Sequence, residues 1–219
     1  MALDKVNLRK LLKLFMLKDN LRSTAIRVDA LQLMKKQDEG STPGGDFHVP
    51  FWSDAKAHAG GGRDLREATT EQVEKNWRRK GLYPRLTDGF LVWWNEKRRR
   101  INEPIATLPS PIKSSHGFVQ IEGIVKVENL LSLRIGDDRF QYIYPYFSEK
   151  PELTPEAARL GLWLMSKALP ELNIADMRIL DVLRGLAFGT EEYPLAGNEE
   201  EVFELRYRRI LKEWRDHFK

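Results

Sequence analysis

The alternation of apolar and polar side chains is clearest between residues 118 and 151, FVQIEGIVKVENLLSLRIGDDRFQYIYPYFSEKP. Val119, Ile121, Val125 and Val127 are separated by polar or mixed residues, the period of a half-buried strand. Leu131, Leu133 and Ile135 repeat the pattern in a second strand. Gly136-Asp137-Asp138 reads as a turn, and Phe140, Tyr142, Tyr144 and Tyr146 line one face of a third strand. Residues 178–188, RILDVLRGLAF, read as a fourth.

Elsewhere the period is helical. Leu8, Leu11, Leu12, Phe15 and Met16 fall at i, i+3, i+4, i+7 and i+8, which predicts an amphipathic helix over residues 4–17. A second helix is expected from Ser23 to about Lys36, burying Ile26, Ala30, Leu33 and Met34. Residues 38–63 read as an irregular loop, with GSTPGG at one end and AGGGR at the other. Thr69 and Gln72 have capping-box spacing, with Gly81 closing that helix, and Thr87 can cap the helix that carries FLVWWNEKRRR. Pro104, Pro109 and Pro111 mark residues 104–117 as a linker into the sheet. Thr154-Pro155 opens a helix, AARLGLWLMSKAL, that is apolar nearly all round and is stopped by Pro170. The last helix begins with Glu199, Glu200 and Glu201 and ends with Lys212, Arg215 and Lys219, complementary to its dipole, over a stripe of Phe203, Tyr207, Ile210, Trp214 and Phe218.

Composition narrows the class. With 42% apolar and 10% aromatic residues in 219, the chain can build a core. It has no cysteine, which excludes disulfides and thiolate zinc sites and fits a reducing compartment. No stretch approaches the ~20 apolar residues of a membrane span, and no uninterrupted signal-peptide core is visible, so the expectation is a soluble cytoplasmic protein without membrane contact. The net charge of +4 is unevenly spread: between Lys75 and Arg100 stand nine Lys and Arg against Asp88 and Glu96.

That stretch contains the strongest interaction signal, KNWRRKGLYPR and WWNEKRRR. Arg and Lys neutralise phosphates, and aromatic rings stack on unpaired bases or anchor protein interfaces. The candidate contacts with nucleic acid or a partner are therefore Arg78, Arg79, Lys80, Arg85, Trp94, Lys97, Arg98, Arg99 and Arg100, among the aromatic residues Trp77, Tyr83 and Trp93. Adjacent tryptophans cannot point the same way, so one of Trp93 and Trp94 is expected either to be exposed or to cover a neighbouring segment. A weaker candidate lies in the irregular loop, where Asp46, His48, Asp54 and His58 are types that bind zinc or manganese. No phosphate loop, nucleophile elbow or GxGxxG is present.

From residue 87 onward the order helix, three strands, helix, strand, helix resembles the common core of the PD-(D/E)XK nucleases, particularly the RecB-type branch. IEGIVKV sits where that family has a glycine followed by its first catalytic aspartate. YIYPYFSEKP sits where the family has an acidic residue two positions before a catalytic lysine, and ARLGLW where the branch has glutamine and tyrosine at i and i+4 of a helix. The resemblance implies an α+β protein: an N-terminal helical region, 1–86, then a restriction-endonuclease-like αβββαβα domain, 87–219, with a mainly antiparallel sheet. It also implies lost catalysis. Val125, Tyr144 and Tyr146 stand at the catalytic positions, and Arg159 and Trp163 replace the helix pair. Such chemistry needs carboxylates around a hard divalent cation and a lysine to activate water. Glu122, Lys126 and Glu128 share a polar strand face, as a solvated sheet face does. The expectation is a non-catalytic accessory or adaptor subunit without cofactor, binding another protein subunit and nucleic acid in a nucleic-acid-processing or defence assembly. The alternative is a divalent-metal-dependent nuclease or hydrolase with a displaced carboxylate site.

Overall fold

The structure, a computed structural model, describes residues 2–38 and 46–218. The chain opens with strand β1 (Lys5–Asn7), then helices α1 (Leu8–Met16), α2 (Asp19–Asp38), α3 (Val49–Ala59), α4 (Leu65–Lys75) and α5 (Tyr83–Arg100). Strands β2 (Ile105–Thr107), β3 (Lys113–Phe118), β4 (Gly123–Glu128), β5 (Leu131–Ile135) and β6 (Arg139–Tyr146) follow. Helix α6 (Pro155–Ala168), strands β7 (Met177–Asp181) and β8 (Leu186–Phe188), and helix α7 (Glu199–Arg215) complete the order. The protein is α+β, with two mixed sheets of order β1-β4-β3 and β2-β5-β6-β7-β8. The β1–β4 and β6–β7 pairs are parallel and the others antiparallel.

Several local expectations are corrected. The helix expected over residues 4–17 begins only at Leu8. Lys5–Asn7 instead add a parallel strand to β4, with Val6 opposite Val125. The expected linker 104–117 supplies β2 and β3. The strand expected from Val119 is interrupted: Val119–Ile121 form a 3-10 turn, Glu122 takes φ 53°, and Val119 is left 92% exposed. The fourth strand is a hairpin, β7 and β8, turning through Gly185 at φ 64°. Asp64, not Thr69, caps α4, accepting from the amides of Arg66 and Glu67. Thr69 and Thr87 lie inside helices, buried, with their hydroxyls 2.5 Å apart. Thr154 caps α6 as expected, accepting from the Ala157 amide.

Two apolar clusters lie on opposite faces of the five-stranded sheet. Tyr142, Tyr144 and Tyr146 of β6, with Met177 and Ile179 of β7, face α1, α6, α7 and the three-stranded sheet. Ile143 of β6, Phe147, and Leu180 of β7 face α3 and α5 together with Leu131 and Leu133 of β5. Both clusters draw on residues from either side of residue 86. The glycines at the closest approaches show how tightly the layers meet. A Cβ on Gly89 of α5 would collide with the Val182 carbonyl oxygen and stand 2.6 Å from that of Leu183.

Those obstacles are backbone atoms, which cannot swing aside. Gly89→Ala should therefore lower unfolding free energy by about 3 kcal/mol. Val92→Ala, one turn on and 60% exposed, should change it by less than about 0.5 kcal/mol. Denaturant titration of both variants checks this, and equal effects would refute the close approach of α5 to the β7–β8 turn.

Candidate anion-binding cleft

The carboxyl end of β6 opens into a cleft, and its walls follow from how the neighbouring segments are tied down. Helix α1 buries Leu8, Leu11, Leu12 and Leu14. Its early Arg9 amide, which has no intrahelical acceptor, donates to the Tyr144 hydroxyl at 3.0 Å. With the apolar face buried, Arg9, Lys10 and Lys13 are left on the cleft side. Residues 46–52 form a second wall. Asp46 pairs with Arg9 and accepts from the His48 amide at 2.9 Å. The Phe47 carbonyl accepts from Tyr83 at 2.6 Å, and Trp52 donates its indole N–H to the Asn129 carbonyl at 2.6 Å.

The third wall is the loop after β6. Arg184 donates to the carbonyls of Ser148 (2.8 Å) and Glu149 (2.6 Å), and Tyr146 donates to that of Pro151 (2.8 Å). Asp181, 1% exposed, accepts from the Leu153 amide at 3.2 Å and from Arg184 at 3.3 Å. Burial raises the Asp181 carboxyl and pushes the Tyr146 phenol up to about 12. The Asp181–Arg184 pair thus holds Ser148–Leu153 against the end of the sheet.

The resulting cavity, of about 840 Å³, is lined by Arg9, Lys10, Lys13, His48, Arg85, Phe147 and Lys150, among others. A smaller one of about 170 Å³ shares Arg9, His48 and Phe147 and adds Trp52, Ser53, Lys56 and Asn129. At the common wall the His48 ring stacks on Phe147 (4.8 Å, 6° between planes), and Arg9 stands 5.7 Å from the same phenyl centroid. Carboxylates at this place are occupied: Asp46 by Arg9, and Glu149 by Arg85. Lys10 pairs with Asp29 at 2.6 Å, so the surplus positive charge rests on Lys13, Lys56 and Lys150, which form no ion pair among the described residues. Burial, then Arg9 and Lys13, lowers the His48 ring to about 4; burial and Lys10 lower Lys13, and burial lowers Lys56. Such a recess is suited to a ligand carrying negative charge.

The residues singled out from sequence are divided between the two ends of α5, roughly 25 Å apart along its axis. Arg78, Lys80, Arg98 and Arg99 are exposed and pair with no carboxylate among the described residues. Arg79 bonds to Gln72 and stands 5.3 Å from the Tyr83 ring centroid. Arg85 alone of the set lines the cleft. Lys97 bonds to Gln141 over the Trp93 ring and is lowered to about 8, chiefly by burial, and Arg100 pairs with Glu96 at 2.6 Å. Trp94 is corrected as a contact residue: it and Trp93 are 3% and 7% exposed, and of the two alternatives for the pair, exposure or covering a neighbouring segment, the structure has them packed inside. Packing on two sides of α5 buries adjacent positions. Trp77, 78% exposed, is the ring in that stretch that reaches solvent.

The four candidate metal ligands do not converge. Asp54 accepts from Arg63 (3.2 Å) and Gln72 (2.8 Å), and His58 Nδ1 lies 3.0 Å from the Arg63 carbonyl. Asp46 and His48 belong to the cleft, and no three acidic or histidine residues gather as a metal site among the described residues. Val125 lies on β4 in one sheet and Tyr144 and Tyr146 on β6 in the other, all inside the same apolar cluster. Arg159 stands 4.0 Å from Glu199, and Trp163 packs on Phe118 and Phe203. Arg9, Lys10, Lys13, Lys56 and Lys150 were missed because they are scattered along the chain; the cationic side of α1 was their one sequence signal. Comparison with protein-family models, curated proteins and solved structures finds no match.

His48 makes stability depend on pH with a definite sign. The folded ring is protonated near 4 and the free ring near 6.5, so on acidification the unfolded chain takes the proton first. Stability from neutral His48 is complete above about 6.5 and is lost on descending to about 4. Between about pH 7 and pH 4 the stability difference should move in favour of His48→Phe by about 3 kcal/mol. A pH-independent difference in denaturant titrations would refute this environment. Arg184→Met, which strips Asp181 of its cation, should cost about 3 kcal/mol and speed amide exchange over residues 148–153; unchanged exchange there would refute the fastening role.

Proposed function

We propose that this chain is a non-catalytic binding subunit that holds a nucleic-acid strand by its phosphates in the cleft and presents the far end of α5 to a partner protein. The observation that carries the reading is that Lys13 of α1, Lys56 of α3 and Lys150 of the loop after β6 line the joined recess with no ion pair among the described residues, beside Arg9 and Arg85, which are matched by Asp46 and Glu149. Phosphate oxygens supply the charge that this recess lacks, and counterion release favours their binding. The partner contact is assigned to Arg98 and Arg99, exposed beyond the buried Trp94 and without carboxylate partners among the described residues. Arginine is favoured at such surfaces.

The PD-(D/E)XK resemblance belongs to the same proposal. In its favour, antiparallel β5–β6 is followed through α6 by β7 parallel to β6. A scaffold of that family whose motif positions had become Val125, Tyr144 and Tyr146 would lose the metal ligands, leaving a binding role; against it, Val125 lies in the three-stranded sheet, apart from Tyr144 and Tyr146.

The test is fluorescence anisotropy of a labelled single strand between about 50 and 200 mM salt. Binding should weaken steeply with salt. Lys13→Glu with Lys150→Glu should reduce affinity about tenfold or more, and Arg98→Glu with Arg99→Glu by less than about threefold. The reverse ranking would move the nucleic-acid site to the end of α5. Divalent-metal-dependent cleavage of the strand would overturn the non-catalytic reading.

A further inference from the structure

We infer that the cleft receives an unpaired segment a few nucleotides long, with a phosphate at Arg9 on the wall between the two chambers and its neighbours extending into each; this rests on the binding role proposed above. Size is the first argument. The chamber of about 840 Å³ is of the scale that accepts small ligands, the adjoining one of about 170 Å³ has room for only part of a nucleotide, and a duplex presents its paired bases only as a rod too thick to enter.

The second argument is the sharing of charge and aromatic surface across the wall. Arg9, His48 and Phe147 line both chambers; Lys10, Lys13, Arg85 and Lys150 stand on the larger side and Lys56 on the smaller. Cations on both sides of one wall match successive phosphates of one strand better than a single phosphate group. Phe147 and Trp52 are buried, so the half-buried His48 ring, backed by Phe147, is the one ring here with surface left for an unpaired base. Ser148 in the large chamber and Ser53 and Asn129 in the small one supply neutral hydrogen-bonding groups.

His48 provides a reporter for occupancy. Facing it are Arg9, Lys10 and Lys13 of α1, Lys56 of α3 and Arg85 of α5, with Asp46 on its own segment and Glu149 and Lys150 on the loop after β6. A phosphate seated among these cations offsets their field, so the ring should titrate above the value of about 4 that it has in the unliganded fold.

The experiment uses the full chain with trithymidylate, thymidine monophosphate and a short blunt duplex, with affinity read by calorimetry and His48 by NMR. Thymine bases and phosphodiesters do not titrate in the pH range of the histidine. The inference expects trithymidylate to bind and to raise the His48 titration. It expects the duplex not to displace trithymidylate, and Lys56→Gln to weaken trithymidylate several-fold while leaving the monophosphate unchanged. Displacement by the duplex at equal affinity, a His48 ring indifferent to bound trithymidylate, or equal effects of Lys56→Gln on both thymidylates would overturn it while the binding role stands. Failure of every single strand and duplex tried to bind would overturn the binding role and this inference together.

Discussion

The structure depends on β6 being buried on both faces. Alternate residues of a strand point to opposite sides, so the tyrosines at 142, 144 and 146 go into one cluster, and Ile143 and the following Phe147 into the other. Large side chains on both sides demand cover on both sides, supplied by α1 and α6 on one and α3 and α5 on the other. Proline at 145 is accommodated because β5 begins, at Leu131, opposite Ile143, so beyond Ile143 β6 is paired only with β7. Helix and sheet are joined by polar contacts as well as packing. The Tyr144 hydroxyl accepts the Arg9 amide, satisfying a helix-terminal donor that burial would otherwise leave unpaired.

The cleft follows from that arrangement. Where β6 ends, the elements covering its two faces separate, and the polar sides of α1 and α3 meet across the gap. Arg184 and the buried Asp181 pin the loop that closes it. The charge imbalance is therefore structural: cations belong to elements anchored by their apolar faces, while the nearby carboxylates are tied to arginines. A neutral His48 stacked on Phe147 is the consequence of that field and of burial acting in the same direction.

The parts of this fold readable from sequence are those with strong periodicity over many residues. The Tyr face of β6, the capped α6 and the stripe of α7 were predicted by residues that occupy those roles in the structure, except that Phe218 remains 43% exposed. Short edge strands were not readable: β2 (IAT) and β3 (KSSHGF) carry too few apolar residues to alternate, and three residues of β1 merge into the period of the helix behind them. Thr69 and Thr87 looked like caps because isolated threonines have that propensity; their burial between α4 and α5 is a tertiary choice. Clustering of charge between residues 75 and 100 was visible, but its separation to the two ends of α5 required the helix. The cleft drew on positions 9 to 13, 56, 85 and 150, a set that no local pattern brings together.

Photocrosslinking of a single strand carrying halogenated pyrimidines, followed by mass spectrometry of the adducts, tests the central claim most directly. The account predicts adducts on His48 and on the accessible residues 148–150 beside it, suppressed by Lys13→Glu with Lys150→Glu. Adducts confined to the far end of α5, near Arg98 and Arg99, or to exposed Trp77, would contradict it.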